Sequence, residues 1–175
     1  MNDDRQSDTQ WIRAAVSRFQ RPLTAYCLKL TGSLELAREI TQDAFLKLCD
    51  QPRQRVEGHL APWLYTVCRN RALDVLRKES RGGPMAPESL AARPDGQPGP
   101  DQQAERRELA GRMLDELEKL PAAQQEALRL RFHAAMSYRQ IAEVMDITVG
   151  YVGWLIHTGL ATLRHRMDKP RREAM

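Results

Sequence analysis

In this chain of 175 residues, the residue types best placed to act on another molecule lie in SYRQIAEVMDITVGYVGWLI, residues 137 to 156. Their chemistry is recognition, by hydrogen bonds and apolar contact. Ser137 can cap a helix with Gln140 as its capping-box partner three residues on, which puts Ile141, Ala142 and Met145 on one face. Asp146-Ile147-Thr148 reads as a turn: Asp tolerates left-handed backbone, Ile147 supplies an apolar plug, and Thr148 caps the next helix. Val152, Leu155 and Ile156 then form the inward face of that helix, leaving Gly150, Tyr151 and Trp154 for a partner. The small Ala142 lets the two helices cross closely. This is the pattern of a DNA-binding helix-turn-helix, and also of a helical hairpin inside a core.

Charge favours the first reading. The formal net charge of +4 and pI near 9.2 suit a polyanionic partner, although many soluble proteins without one carry as much. Its distribution is more telling. Residues 60 to 81 hold Arg69, Arg71, Arg77, Lys78 and Arg81 against Asp74 and Glu79, and residues 160 to 175 hold a second basic cluster against Asp168 and Glu173. Two basic ends suggest two contacts with nucleic acid, or else cations placed to complement helix dipoles.

Other classes lack parts. No Gly-rich phosphate loop, HExxH or GxSxG occurs, and His59, His133, His157 and His165 are scattered, so no enzymatic activity is expected. Cys27, Cys49 and Cys68 each lie beside apolar residues of a predicted helix, as buried free thiols do. No CxxC or HxxxC spacing supports a metal site with His59, so neither metal nor cofactor is expected. No apolar run approaches the roughly 20 residues that span a bilayer. The N-terminus MNDDRQSDTQ has no signal-peptide core, so a cytoplasmic protein without membrane insertion is expected.

These residues must be held by helices. Apolar positions recur at three and four, and no long alternating run of β-branched residues appears. Between residues 82 and 100, nine of nineteen positions are Gly or Pro, which predicts an extended, flexible linker. The expected fold is therefore all-α: two small helical domains, 1–81 and 105–175, joined through 82–104, the second containing the helix-turn-helix. In the first, Trp11, Ile12, Ala15, Val16, Phe19, Leu23, Tyr26, Cys27 and Leu30 form one stripe, with Pro22 expected to kink or divide the helix. Gly32-Ser33 breaks it, and Ser33 caps a second helix. There Ala37, Ile40, Thr41, Ala44, Phe45 and Leu48 face inward, while Glu35, Glu39, Gln42 and Asp43 form an acidic outer face. Residues 50 to 58 are expected to be loop, and Pro62 opens a long third helix with Leu60, Trp63, Leu64, Val67 and Leu76 on its core side. After the linker, Leu109, Met113, Leu117 and Leu120 mark one helix, and Pro121 starts another centred on Ala127, Leu128 and Leu130 through Phe132.

Taken together, these segments resemble the extracytoplasmic-function sigma factors of bacterial RNA polymerase over nearly the whole chain. AREITQDAFLKL resembles the helix that family members dock on the β′ clamp helices, which implies polymerase contacts at Glu39, Gln42, Asp43 and Leu46. WLYTVCRNRALDVLRK is similar to the helix that holds the −10 strand, with Trp63, Leu64, Asn70, Asp74 and Arg77 at matching places. LDELEKLPAAQQEALRLRF and SYRQIAEVMDITVGYV resemble the domain that reads the −35 element. The resemblance implies core RNA polymerase (β′ clamp helices and β flap) and promoter DNA as partners, with an anti-sigma factor as a further candidate. It also implies a linker running toward the RNA exit path. The competing class is a stand-alone helix-turn-helix regulator, which explains only the second half.

Melted DNA is held by basic grooves and by pockets for unstacked bases. In the sigma role, Gln51, Gln54, Arg53 and Arg55 would offer donors to base edges and phosphates, while Asn70, Arg71, Arg77 and Lys78, with Arg69, would lie along the strand. Trp63 suits a core anchor better than a base stacker, and Asn70 could instead satisfy a buried backbone group. One departure from the family stands out. VGYVGWLIHTGLATLRHR has no Lys or Arg before Arg164, and Gly153, Trp154, Leu155, Thr158 and Gly159 stand where relatives often carry Lys, Arg or Ser. Since Arg and Lys supply most guanine readout, the −35 contact would fall to Arg139, Thr148, Gly150, Tyr151, Trp154, His157 and Arg164. Alternatively, Tyr151, Trp154 and Leu155 form an apolar patch for a protein, either an anti-sigma factor or the first domain.

Overall fold

The computed structural model describes residues 2–82 and 102–168; the stretch 83–101, with most of the Gly/Pro-rich linker, and the basic tail beyond Asp168 lie outside the described residues. All regular structure among them is helical. Eight α-helices run in order: α1 (Asn2–Thr31), α2 (Leu34–Cys49), α3 (Arg53–Val56), α4 (Leu60–Gly82), α5 (Gln102–Glu118), α6 (Ala122–Phe132), α7 (Tyr138–Met145) and α8 (Val149–Met167). A 3-10 turn, Glu57–His59, joins α3 to α4. The chain separates into two compact units.

The first unit is built on α1, α2 and α4, which pack against one another. Pro22 does not divide α1, which continues through it to Thr31. A mid-helix proline costs about 3 kcal/mol, but Pro22 is exposed while Phe19, Leu23 and Tyr26 are buried on the packed side, so burial around it holds the helix. Gly32, at φ 71°, closes the helix, its N–H bonding to Leu28 O at 2.8 Å. The Ser33 hydroxyl then accepts from the Leu36 N–H at 3.3 Å and caps α2. Ala37, Ile40, Thr41, Ala44, Phe45 and Leu48 all face inward, as their spacing predicts.

Three expectations for this unit need correction. Residues 50–58 are not loop throughout, because Pro52 presets the entry to α3, Val56 is buried, and the Arg53–Glu57 ion pair spans one helical turn at 2.6 Å. Cys49 is exposed, since it lies one residue beyond Leu48 and so turns off the buried face. On α4, Leu64, Tyr65, Cys68 and Ala72 carry the core, whereas Leu60, Trp63, Val67 and Leu76 are only half-buried. Tyr65 packs on Tyr26 with ring centroids 5.0 Å apart. Burial, with the neighbouring Cys68 and Cys27 thiols, pushes its phenol up to about 12.

The second unit is built on α5, α6 and α8. Ala127, Leu128 and Leu130 are buried, but Phe132 is 60% exposed, because it ends α6 just before a turn in which Ala135 is left-handed at φ 53°. Leu109 and Met113 are likewise about half exposed, and the tie of α5 to α8 lies further along, at Glu116–Arg166 (3.5 Å). Gly159 marks the close approach of α6 and α8: a Cβ there would stand 3.0 Å from Leu128 Cδ1 and 3.5 Å from Gln124 Cβ.

The helix-turn-helix forms as read. Ser137 N–H donates to Gln140 Oε1 at 2.9 Å, and Gln140 N–H returns to Ser137 Oγ at 3.3 Å. Asp146 takes the left-handed conformation at φ 55°, and Ile147 N–H bonds back to Ala142 O at 3.0 Å. Thr148 Oγ1 accepts from Tyr151 N–H at 3.2 Å, capping α8. Ile141, Ala142 and Met145 on α7, and Val152, Leu155 and Ile156 on α8, are buried, as is Val144.

Candidate nucleic-acid interface

Helix α2 turns Glu39 and Gln42 to solvent and leaves Leu46 58% exposed, a large apolar side chain amid acidic and amide groups. Asp43 is half-buried, because Arg71 reaches across from α4 and holds Oδ2 at 3.3 Å, with Glu39 Oε1 at 3.9 Å. Two residues assigned by sequence to different partners, Asp43 and Arg71, are thus held against each other. At this exposure the pair contributes under about 1 kcal/mol, so it orients more than it stabilises. Beside it an open, mainly apolar groove of about 770 Å³ runs between α1 and α2, lined by Val16, Leu28, Leu34, Phe45 and Leu46 among others.

The segment between α2 and α4 is also organised by an arginine. Arg53 pairs with Glu57, donates from Nη1 to Ser7 Oγ at 3.1 Å, and lies over the Trp11 ring at 5.7 Å. It therefore ties α3 back to α1. The same hydrogen bond holds the Glu57 carboxyl below its usual range. Gln51 is half-buried, whereas Gln54 and Arg55 are exposed. Along α4, Asn70, Asp74, Arg77 and Lys78 are all exposed, at helical spacings that share one face. Asn70 is therefore not serving a buried backbone group. Arg77 lies 3.3 Å from Asp74, and Trp63 is half-buried.

In the second unit α8 brings Gly150, Tyr151, Trp154, His157 and Arg164 to one exposed side, and Arg139 is exposed on α7. Tyr151 and Trp154 are 46% and 53% exposed and stacked, with centroids 5.5 Å apart and planes at 12°. Leu155 does not join them: it is buried, because it belongs to the inward row with Val152 and Ile156. Gly159 and Thr158 also leave the candidate surface. Gly159 is buried against α6, and Thr158 accepts from Gln124 Nε2 at 3.2 Å. Sequence reading missed other exposed apolar groups here, Val149, Tyr138 and Phe132. Arg131 lies over the Tyr138 ring at 5.6 Å while donating to Met136 O at 2.8 Å. Placement at helix ends, where side chains seldom find a second helix to cover them, was the available signal.

The described residues thus form two helical units, one exposing a polar face on α2 and the other a helix-turn-helix whose α8 keeps one side open. Comparison with known proteins gives the chain a family. The sigma-70 region 2 model matches residues 15–82 and the sigma-70 region 4 model residues 117–165. The chain belongs to the sigma-70 family, in its extracytoplasmic-function group. It is 33% identical over 157 residues to an uncharacterized protein of Rhizobium meliloti, covering 81% of this chain and 35% of that one. It is 27% identical over 142 residues to the ECF RNA polymerase sigma factor SigE of Mycolicibacterium smegmatis, covering 81% of this chain and 55% of SigE. To the ECF RNA polymerase sigma factor RpoE of Cereibacter sphaeroides it is 29% identical over 152 residues, 86% of this chain and 82% of RpoE. The chain thus spans from about a third to about half the length of several curated relatives it matches. A solved structure of the sigma factor RpoE with the anti-sigma factor NepR from Bartonella quintana shares the fold, with TM-score 0.64 at 22% identity over 97% of this chain and 100% of that one. Among the described residues no helix is long and apolar enough to cross a membrane.

Proposed function

We propose that this protein is a promoter-specificity subunit that binds core RNA polymerase and directs −10 melting and transcription initiation, acting in the cytoplasm and catalysing no reaction itself. The observation that carries this reading is the order of its parts: a region 2 unit whose α2 exposes Glu39, Gln42 and Leu46, followed by a region 4 unit with an exposed recognition helix. Residues 1–81 dock on the β′ clamp helices and take the −10 strand, 82–104 connect, and 105–175 meet the β flap and the −35 duplex.

Within the first unit the side chains divide the work. Glu39, Gln42 and Leu46 meet the polymerase, and Asp43 does so while orienting Arg71. Arg55, Asn70 and Lys78, all exposed, meet the melted strand with Arg77 and Gln51. Arg53 and Arg71 act from behind, holding α3 on α1 and α4 on α2. In the second unit Arg139 and Arg164 serve phosphates, Thr148 and Gly150 bring the helix N-terminus to the backbone, and Tyr151, Trp154 and His157 face the bases. An anti-sigma factor fits the same framework as a further partner, since the RpoE that shares this fold was crystallised with the anti-sigma factor NepR.

The test is association of the purified protein with bacterial core RNA polymerase. Gln42→Ala with Leu46→Ala leaves the Asp43–Arg71 pair in place and is expected to weaken association at least tenfold. Absence of core binding, with duplex DNA bound by the free protein, would replace this reading with the stand-alone regulator.

A further inference from the structure

The first turns of α8 pose a chemical question. From Val149 through Leu163 the helix has no Lys or Arg, so it lacks the forked donor that reads guanine O6 and N7. What it presents instead is apolar: Val149 about half exposed, then Tyr151 and Trp154 stacked at 5.5 Å. Stacked in this way, the two rings present one continuous aromatic surface. Around it stand cations suited to phosphates. Arg139 is exposed on α7, and Arg164 is exposed on α8, roughly 15 Å along the helix from Trp154. The carboxylates of Glu143 and Asp146 are exposed on the same motif and oppose a purely electrostatic contact.

In the major groove the one projecting apolar group is the thymine methyl, which stands beside that base's O4 acceptor. Thymine presents its C5 methyl, whereas guanine, cytosine and adenine present donors and acceptors that an indole face would strip of water without replacing. We infer that Trp154 and Tyr151 are specificity-determining residues that read thymine methyl groups in the −35 duplex. This inference rests on the sigma reading above and gives its second DNA contact a defined chemistry. Arg139 and Arg164 hold the phosphates that set the register, and the aromatic pair selects A·T steps whose methyls it can cover.

The test uses the full chain bound to core polymerase, with duplexes randomised at the −35 spacing and a constant −10 element. Binding is expected to select thymines there. Replacing each selected thymine by deoxyuridine, which removes only the methyl, is expected to weaken binding about fourfold per contacted position, from the transfer energy of one buried carbon. Tyr151→Ala with Trp154→Ala, at exposed positions that leave the helix intact by circular dichroism, is expected to bind thymine and deoxyuridine duplexes equally. Selection of G·C pairs, indifference of the unaltered protein to deoxyuridine, or a double variant that still distinguishes the two duplexes would each overturn the inference. Failure to select any sequence would also overturn it. Core association is measured in the same reaction, so loss of the sigma reading is seen separately. If core is not bound, the deoxyuridine contrast is run on the free protein and decides the question alone.

Discussion

The two units bury and expose apolar surface in opposite ways. In the first, Leu23, Ile40, Leu48 and Leu64 are fully buried, and the exposed large apolar side chains among the described residues are Leu34 and Leu46, both on α2. In the second, Leu130, Ile141 and Leu155 are fully buried, but Leu109, Met113, Leu114, Phe132, Tyr138, Val149, Tyr151 and Trp154 all remain exposed. The first unit resembles a finished core whose surface shows charge, amides and two leucines. The second keeps much of its apolar surface outside. A monomer seldom exposes so much without a partner for it, and the contacts proposed above for the second unit would supply one.

The largest test of this contrast compares truncations inside and outside the cores. Leu64→Ala and Leu130→Ala are each expected to cost about 2 to 5 kcal/mol in urea denaturation, while Leu109→Ala and Met113→Ala stay within about 0.5 kcal/mol. Equal costs at the inner and outer positions would break the comparison. Alkali probes the first core alone. Unfolded tyrosine ionises near 10.0, whereas folded Tyr65 resists to about 12. Its contribution is therefore intact below pH 10 and is lost as pH rises through 12, about 2 to 3 kcal/mol in all. A Tyr65→Phe variant should keep its stability across that window, as followed by denaturant melts and ultraviolet titration.

Smaller effects separate the two faces of α8. Gly159→Val pushes against Leu128 and should destabilise by about 1 to 3 kcal/mol. Gly153→Ala meets only the Tyr138 ring, at 3.7 Å, and should gain up to about 1 kcal/mol of helix propensity in a thermal melt. Gains or losses of the same sign at both positions would mean that α8 does not divide into a packed and an open side. Smallest are the local signals. Ser137→Ala and Thr148→Ala should each cost about 1 kcal/mol as caps, and Ala135→Gly should recover under about 1 kcal/mol by relieving its left-handed backbone.

Such local signals are why so much of the helix-turn-helix was legible in advance. Ser137, Gln140, Asp146 and Thr148 act on backbone groups within four residues of themselves, so the sequence states both partners of each bond. The same holds for the inner face of α2, a pure matter of period. The candidate site was less legible. Arg53 and Arg71 look like free DNA-facing cations in the sequence, yet their partners Ser7, Trp11 and Asp43 lie many residues away.

By itself the sequence determined where each capped helix begins, which residues of α2 face inward, where the chain turns left-handed at Asp146, and that the recognition helix carries no early cation. Each follows from hydrogen bonds and periodicities shorter than about two turns. Only the tertiary structure decided that Arg71 orients Asp43, that Gly159 lies against Leu128 while Tyr151 and Trp154 stay open, and that Leu109, Met113 and Phe132 miss the core. Those outcomes depend on which helix lies alongside, and no spacing along one helix encodes its neighbour.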